Sequence, residues 1–165
     1  MSLFKTLPTF ALLLLVTACG FQPLYGEQTS NRQVKGKLAS TYVMPIDGRV
    51  GQIVRNELLD RVTPKGVPAQ SKYRLKVRLS EKKQGLAIDT DDSTNRYNLT
   101  IFAKYSLLNS TGKEVIYRGT AQSIASYNVV SSDFANLTAE KNARKRSALV
   151  VAEEIHRQLS VYLSR

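Results

Sequence analysis

The only cysteine of the chain, Cys19, stands in a context that predicts attachment of a lipid. Val16-Thr17-Ala18-Cys19 has the form of a bacterial lipobox, in which small residues precede the cysteine. One cation, Lys5, and an apolar run over residues 10–16 come before it, which is the layout of a secretory signal peptide. The run is too short to cross a bilayer, which takes about 20 residues. We therefore expect residues 1–18 to be cleaved and Cys19 to carry a membrane anchor.

A second chemical pattern is a set of cations on one face of a predicted sheet. In residues 73–79, apolar and basic side chains alternate, so that the basic ones all point to the same side. Like charges facing each other across strands destabilise a sheet, and such a face therefore indicates an anionic partner, with guanidinium groups and amines suited to phosphate. An ordinary solvated face is the alternative. The outward cations are Lys72, Arg74, Lys76, Arg78, Arg96, Lys104 and Arg118.

Two further features indicate contact with a partner. Phe102 lies among the outward cations, where it could touch an acyl chain or the wall of a partner protein. The first half of the last predicted helix is polar and basic, and its cations Lys141, Arg144 and Lys145 are expected to face a partner.

The residues give little support for catalysis or metal binding. His156 is the only histidine, and with Cys19 lipidated no thiol is left to complete a zinc site of familiar type. A Ser-His-Asp arrangement is formally possible, but no motif places a serine on a nucleophile elbow. We predict no metal, no cofactor and no enzymatic activity.

The charge balance narrows the choice of partners. Lys and Arg number 24 against 13 acidic residues, which gives a net charge of +11. Such a surplus is typical of proteins that bind nucleic acid or an anionic membrane surface. Export from the cytoplasm favours the anionic lipid and makes nucleic acid an unexpected partner.

The elements that would position these residues follow from periodicity and turn signals. We interpret residues 19–37 as a lipidated tether and residues 38–165 as one domain. The predicted order is β-α-β-β-β-α, which favours a two-layer α/β sandwich with both helices on one face of a four-stranded mixed sheet. The predicted strands are 38–44, 73–79, 97–107 and 114–127, and the predicted helices are 50–62 and 132–163.

Four stretches of the chain resemble the LptE family of lipopolysaccharide-assembly lipoproteins. They are Cys19-Gly20-Phe21-Gln22-Pro23-Leu24-Tyr25-Gly26, Gly51-Gln52-Ile53-Val54-Arg55-Asn56-Glu57-Leu58, Ser126-Tyr127-Asn128-Val129-Val130 and Ala139-Glu140-Lys141-Asn142-Ala143-Arg144-Lys145-Arg146. The first, at the anchor, is the most specific.

The resemblance implies a non-enzymatic lipoprotein on the periplasmic side of the outer membrane. Such a protein would plug the LptD β-barrel translocon, with which it delivers lipopolysaccharide to the outer leaflet. Two other interpretations remain open at this point: an auxiliary lipoprotein of a phospholipid transport system, and a periplasmic hydrolase on a lipid tether.

Overall fold

The computed structural model describes residues 29–67, 69–88 and 94–165. The predicted signal peptide, Cys19 and the tether up to residue 28 lie outside the described residues.

The described chain forms a four-stranded mixed sheet with three helices. Strand β1 pairs in parallel with β2, and β2, β3 and β4 follow as an antiparallel meander, in the spatial order β1-β2-β3-β4. The predicted α/β class and the mixed four-stranded sheet are confirmed. The elements in chain order are α1 Thr29–Ala39, β1 Thr41–Val43, α2 Gly48–Val62, β2 Tyr73–Ile88, β3 Thr94–Asn109, β4 Val115–Asn128 and α3 Asp133–Leu163.

Helix α1 differs from the sequence interpretation, which has a tether to residue 37 and a strand from residue 38. Val34 and Leu38, one helical turn apart, are buried in the core, and the strand proper begins only at Thr41. The amine of Lys37 donates a hydrogen bond of 2.8 Å to the carbonyl oxygen of Leu163, which joins α1 to the end of α3. Two apolar positions in a polar segment are a weak helical signal, and packing rather than propensity stabilises this helix.

The core has two parts. The main part lies between the inner face of the sheet, α2 and the C-terminal half of α3, and includes Val54, Leu75 and Ile155. A smaller part lies under the N-terminal half of α3, where Leu99 and Ala143 are buried together. Helix α2 contributes to the main part only, so that it covers half of the longer helix α3.

Helix α2 and the chain before it approach each other closely at Gly51. A Cβ atom at this position would lie 2.7 Å from the carbonyl oxygen of Ile46. The approach requires a residue without a side chain, which explains the glycine inside a helix, where it is otherwise unfavourable.

Candidate functional site: the open face of the sheet

The helices leave one face of β2, β3 and β4 uncovered, and we call it the open face. It is formed by the outward side chains of the three strands, whose register places the predicted cations in neighbouring rows across the sheet. One row consists of Lys76, Ser106 and Arg118, and the next consists of Arg78, Lys104 and Thr120. Arg78 and Lys104 are directly opposite each other, which places two like charges side by side.

The seven predicted cations are all exposed, but the structure does not bring them all together. Lys76, Arg78, Lys104 and Arg118 form the cluster in the two rows described above, while Arg74 lies one row closer to the start of β2, and Lys72 immediately precedes the strand. Arg96 is separate, because it is eight positions from Lys104 along β3, a distance of about 26 Å. Within the described part of the chain none of the seven forms an ion pair.

Apolar side chains continue the open face beyond the cationic cluster. Phe102 lies in the row after Lys104, between Ser80 and Gln122, and is 39% exposed. Ile124, in the following row with Thr100 and the exposed Lys82, is 59% exposed and was not identified by the sequence analysis. The alternation of β4 contained the signal, since Ile124 follows the outward residue Gln122 by two positions.

The N-terminal half of α3 contains the three cations expected to contact a partner, and they differ in their surroundings. Lys141 and Lys145 are exposed. The guanidinium of Arg144 is engaged within the chain, at 2.9 Å from Glu81 on β2 and 2.5 Å from Glu140.

Glu140 is the centre of a polar cluster that links α3 to the β2–β3 hairpin. Its carboxylate accepts hydrogen bonds from the Lys83 amine at 2.8 Å and from the Tyr127 hydroxyl at 3.0 Å. The Lys83 amine also lies 4.5 Å from the centre of the Tyr97 ring, a cation–π contact. These hydrogen bonds lower the pKa of Glu140, and the same contact with Glu140 raises the pKa of Lys83.

His156 is half-buried on α3, and its surroundings do not resemble a catalytic site. Burial lowers its pKa, and the nearby positive charge of Arg61 acts in the same direction. The described residues contain no group of three metal-ligating side chains. None of the helices within residues 29–67, 69–88 and 94–165 has the length and apolar character needed to span a membrane.

Fold and site together define an α/β domain that presents an uncovered sheet face, on which rows of cations border exposed apolar side chains. Residues 38–159 match the family model LptE, lipopolysaccharide-assembly, and the chain belongs to that family. The protein is therefore a lipopolysaccharide-assembly lipoprotein, from a non-enzymatic family that works with the lipopolysaccharide transport machinery.

Solved structures show the same fold. A candidate lipoprotein from Caulobacter crescentus CB15 is 24% identical, with a TM-score of 0.64 over 79% of this chain and 96% of the other. A minor lipoprotein from Acinetobacter baumannii is 16% identical, with a TM-score of 0.60 over 75% and 92%. The rare lipoprotein B from Shewanella oneidensis is 15% identical, with a TM-score of 0.56 over 74% and 94%. No curated protein matched the chain.

Proposed function

We propose that the protein is an outer-membrane lipoprotein, anchored through Cys19, that plugs an LptD-type β-barrel and helps it to assemble. In this proposal its open face binds the phosphate groups of lipopolysaccharide during delivery to the outer leaflet.

The observation that carries the proposal is the order of charge and apolar surface along the open face. The Arg78–Lys104 row is next to the row that contains Phe102, and Ile124 follows in the row after that, which also contains Lys82. Successive residues on one face of a strand are about 7 Å apart, so phosphate-binding groups and exposed apolar groups lie within one or two such steps. A phosphorylated glycolipid presents the same two chemistries, phosphates next to acyl chains.

The electrostatics of the cluster favour an anion. Opposed residues of an antiparallel pair have Cα atoms about 4.5–5.5 Å apart, and like charges there cost free energy. A phosphate placed between Arg78 and Lys104 would remove that cost and accept charge-assisted hydrogen bonds from both side chains. Within the described residues no carboxylate takes this role at either position.

The dimensions and polarity of the domain support the plug. The 31 residues of α3 span about 46 Å, similar to the 40–45 Å of a bilayer with its headgroups. The lumen of a large barrel is polar and water-filled, which suits a domain with exposed cations on its sheet. LptD as the partner is the expectation that the family resemblance supplies.

The test is neutralisation of the opposed pair, Arg78→Gln with Lys104→Gln, followed by measurement of lipopolysaccharide binding to the purified lipoprotein. Each charge-assisted hydrogen bond contributes about 1.5–3 kcal/mol, so we expect binding to weaken at least tenfold. Removal of the like-charge repulsion should leave the stability unchanged or raise it slightly. We therefore expect the variant to stay folded, and urea unfolding measured beside the binding checks this.

The matched control is Arg49→Gln with Lys65→Gln, which changes the net charge equally at exposed positions in α2 and in the loop that follows it. We expect the control to bind as the wild type does. Equal affinity of the folded open-face variant and the wild type for lipopolysaccharide would contradict the proposal. Equally weakened binding by the control would also contradict it, because the change in net charge alone would then explain the effect.

A further inference from the structure

The N-terminal half of helix α3 has an uncovered stripe of side chains. This stripe continues the line of side chains that are buried in the C-terminal half of the same helix. Helix α2 has 15 residues and α3 has 31, and the buried side chains of α2 belong to the main core, with the C-terminal half of α3. Positions spaced by three or four residues form one stripe along a helix. From the C-terminal end this stripe is Leu163, Leu159, Ile155, Ala152 and Ala148, all buried, and then Lys145, Lys141, Leu137 and Phe134, all exposed.

The exposed end of the stripe is apolar. Phe134 is 80% exposed and Leu137 is 52% exposed, and Val130, in the loop just before the helix, is 53% exposed. We call these three residues the apolar tip. They lie within eight positions of one another in the chain, at the end of the domain opposite to Leu163.

The structure holds the apolar tip in a defined arrangement. The Asn136 side chain accepts a hydrogen bond from the backbone N–H of Val130 and donates one to its carbonyl oxygen, both at 2.8 Å. Ser132 caps the helix by accepting a hydrogen bond from the backbone N–H of Ala135 at 3.4 Å. Apolar side chains that are exposed on a fixed backbone are typical of a binding surface.

The charges beside the apolar tip identify the chemistry of its partner. Lys141 and Lys145 follow it on the same stripe, and neither forms an ion pair with a described residue. Glu140, the nearby acid, already accepts hydrogen bonds from Lys83 and Arg144. Within the described residues, the first turn of α3 contains one exposed acid, Asp133. Apolar side chains bordered by lysines are the pattern of segments that bind an anionic lipid surface.

We propose that the apolar tip inserts into the headgroup–acyl boundary of an anionic lipid surface, with Lys141 and Lys145 at the level of the phosphates. Phe134 and Lys141 are seven residues apart, about 10 Å along the helix axis, which matches an insertion of 5–10 Å below the headgroups. This lipid contact is separate from the open face and from the anchor expected at Cys19. It therefore stands independently of lipopolysaccharide binding.

The experiment places a fluorescent bimane label at the tip of the full lipoprotein in vesicles of phosphatidylethanolamine and phosphatidylglycerol, 3:1. The labelled variant is Val130→Cys, which retains Phe134 and Leu137, and the matched control is Val150→Cys, 49% exposed on the same helix. Wild type treated with the same reagent measures any labelling of Cys19. We expect brominated phosphatidylglycerol to quench the Val130 label at least threefold more than the Val150 label.

Two further variants separate the parts of the proposal. Phe134→Ser with Leu137→Ser should abolish the extra quenching, and Lys141→Gln with Lys145→Gln should weaken it. Replacement of the brominated phosphatidylglycerol by brominated phosphatidylcholine, which keeps the quencher and removes the anionic charge, should weaken it too. Equal quenching of the two labels would overturn the proposal. The proposal would also be overturned if the Val130 label became shielded from water only after a barrel protein or lipopolysaccharide was added. The molecule that covers the apolar tip would then be the added one and not the lipid surface.

Discussion

At the residue scale, the contact between Tyr105 and Gly119 leaves no room for a side chain at position 119. These residues are opposite each other on β3 and β4, and the Tyr105 ring occupies the space that a side chain at position 119 would need. The Tyr105 hydroxyl donates a hydrogen bond of 2.6 Å to the side-chain oxygen of Gln158 on α3, and burial raises the pKa of Tyr105. The ring therefore joins the sheet to the helix and cannot move aside freely.

We expect Gly119→Ala to lower the free energy of unfolding by about 1–3 kcal/mol, the usual cost of forcing an extra group into a packed site. Urea unfolding followed by circular dichroism measures the change. Thr120→Ala, at the exposed neighbouring position, should alter the free energy by no more than about 0.5 kcal/mol. A Gly119→Ala protein as stable as the Thr120→Ala control would show that the Tyr105 ring has freedom the structure does not indicate.

At the element scale, ion pairs add to the small apolar cluster of Leu99 and Ala143 in holding the β2–β3 hairpin against α3. Glu81 and Lys83 occupy inward positions of β2, where the strand extends beyond the main core, and they pair with Arg144 and Glu140. The carboxyl group of Glu140 makes this link sensitive to pH. Because the folded-state pKa of Glu140 is lowered, its stabilising contribution is present above the unfolded value, near 4.3, and is lost as pH falls through the folded value.

We therefore expect wild type to lose about 1 kcal/mol more stability than Glu140→Gln between pH 7 and pH 3. Urea unfolding at the two pH values gives the comparison. Glu153→Gln, an exposed change on the same helix, should leave the pH dependence close to that of wild type. Identical pH profiles for wild type and Glu140→Gln would mean that the network does not stabilise the hairpin.

The same network explains where sequence reasoning succeeded and where it failed. Alternation identified β3, β4 and the start of β2, because residues such as Leu75 and Ile101 face an apolar core. The alternation predicts that β2 ends at residue 79, whereas the strand continues to Ile88. The prediction stops short because the next two inward positions, Glu81 and Lys83, are charged. Periodicity detects burial in apolar surroundings, and it cannot anticipate a strand whose inward side chains pair with cations and acids of a distant helix.

At the scale of the whole molecule, the domain is elongated and its two ends differ in chemistry. The cationic rows of the open face and the junction of α1 with Leu163 lie toward one end, and the exposed Val130, Phe134 and Leu137 lie at the other. The anchor predicted at Cys19 precedes α1 in the chain. In the proposed plug, this polarity would align the domain with the direction in which lipopolysaccharide moves.

Photo-crosslinking in living cells tests most directly whether the open face meets lipopolysaccharide inside a β-barrel. A photoreactive amino acid would be placed at Phe102 and Lys76, with Val150 as an exposed control outside the open face. We expect a lipopolysaccharide adduct at Phe102 that is absent at Val150, and capture of one and the same barrel protein from Lys76 and Phe102. No lipopolysaccharide adduct at Phe102, or capture of soluble periplasmic proteins alone, would contradict this expectation.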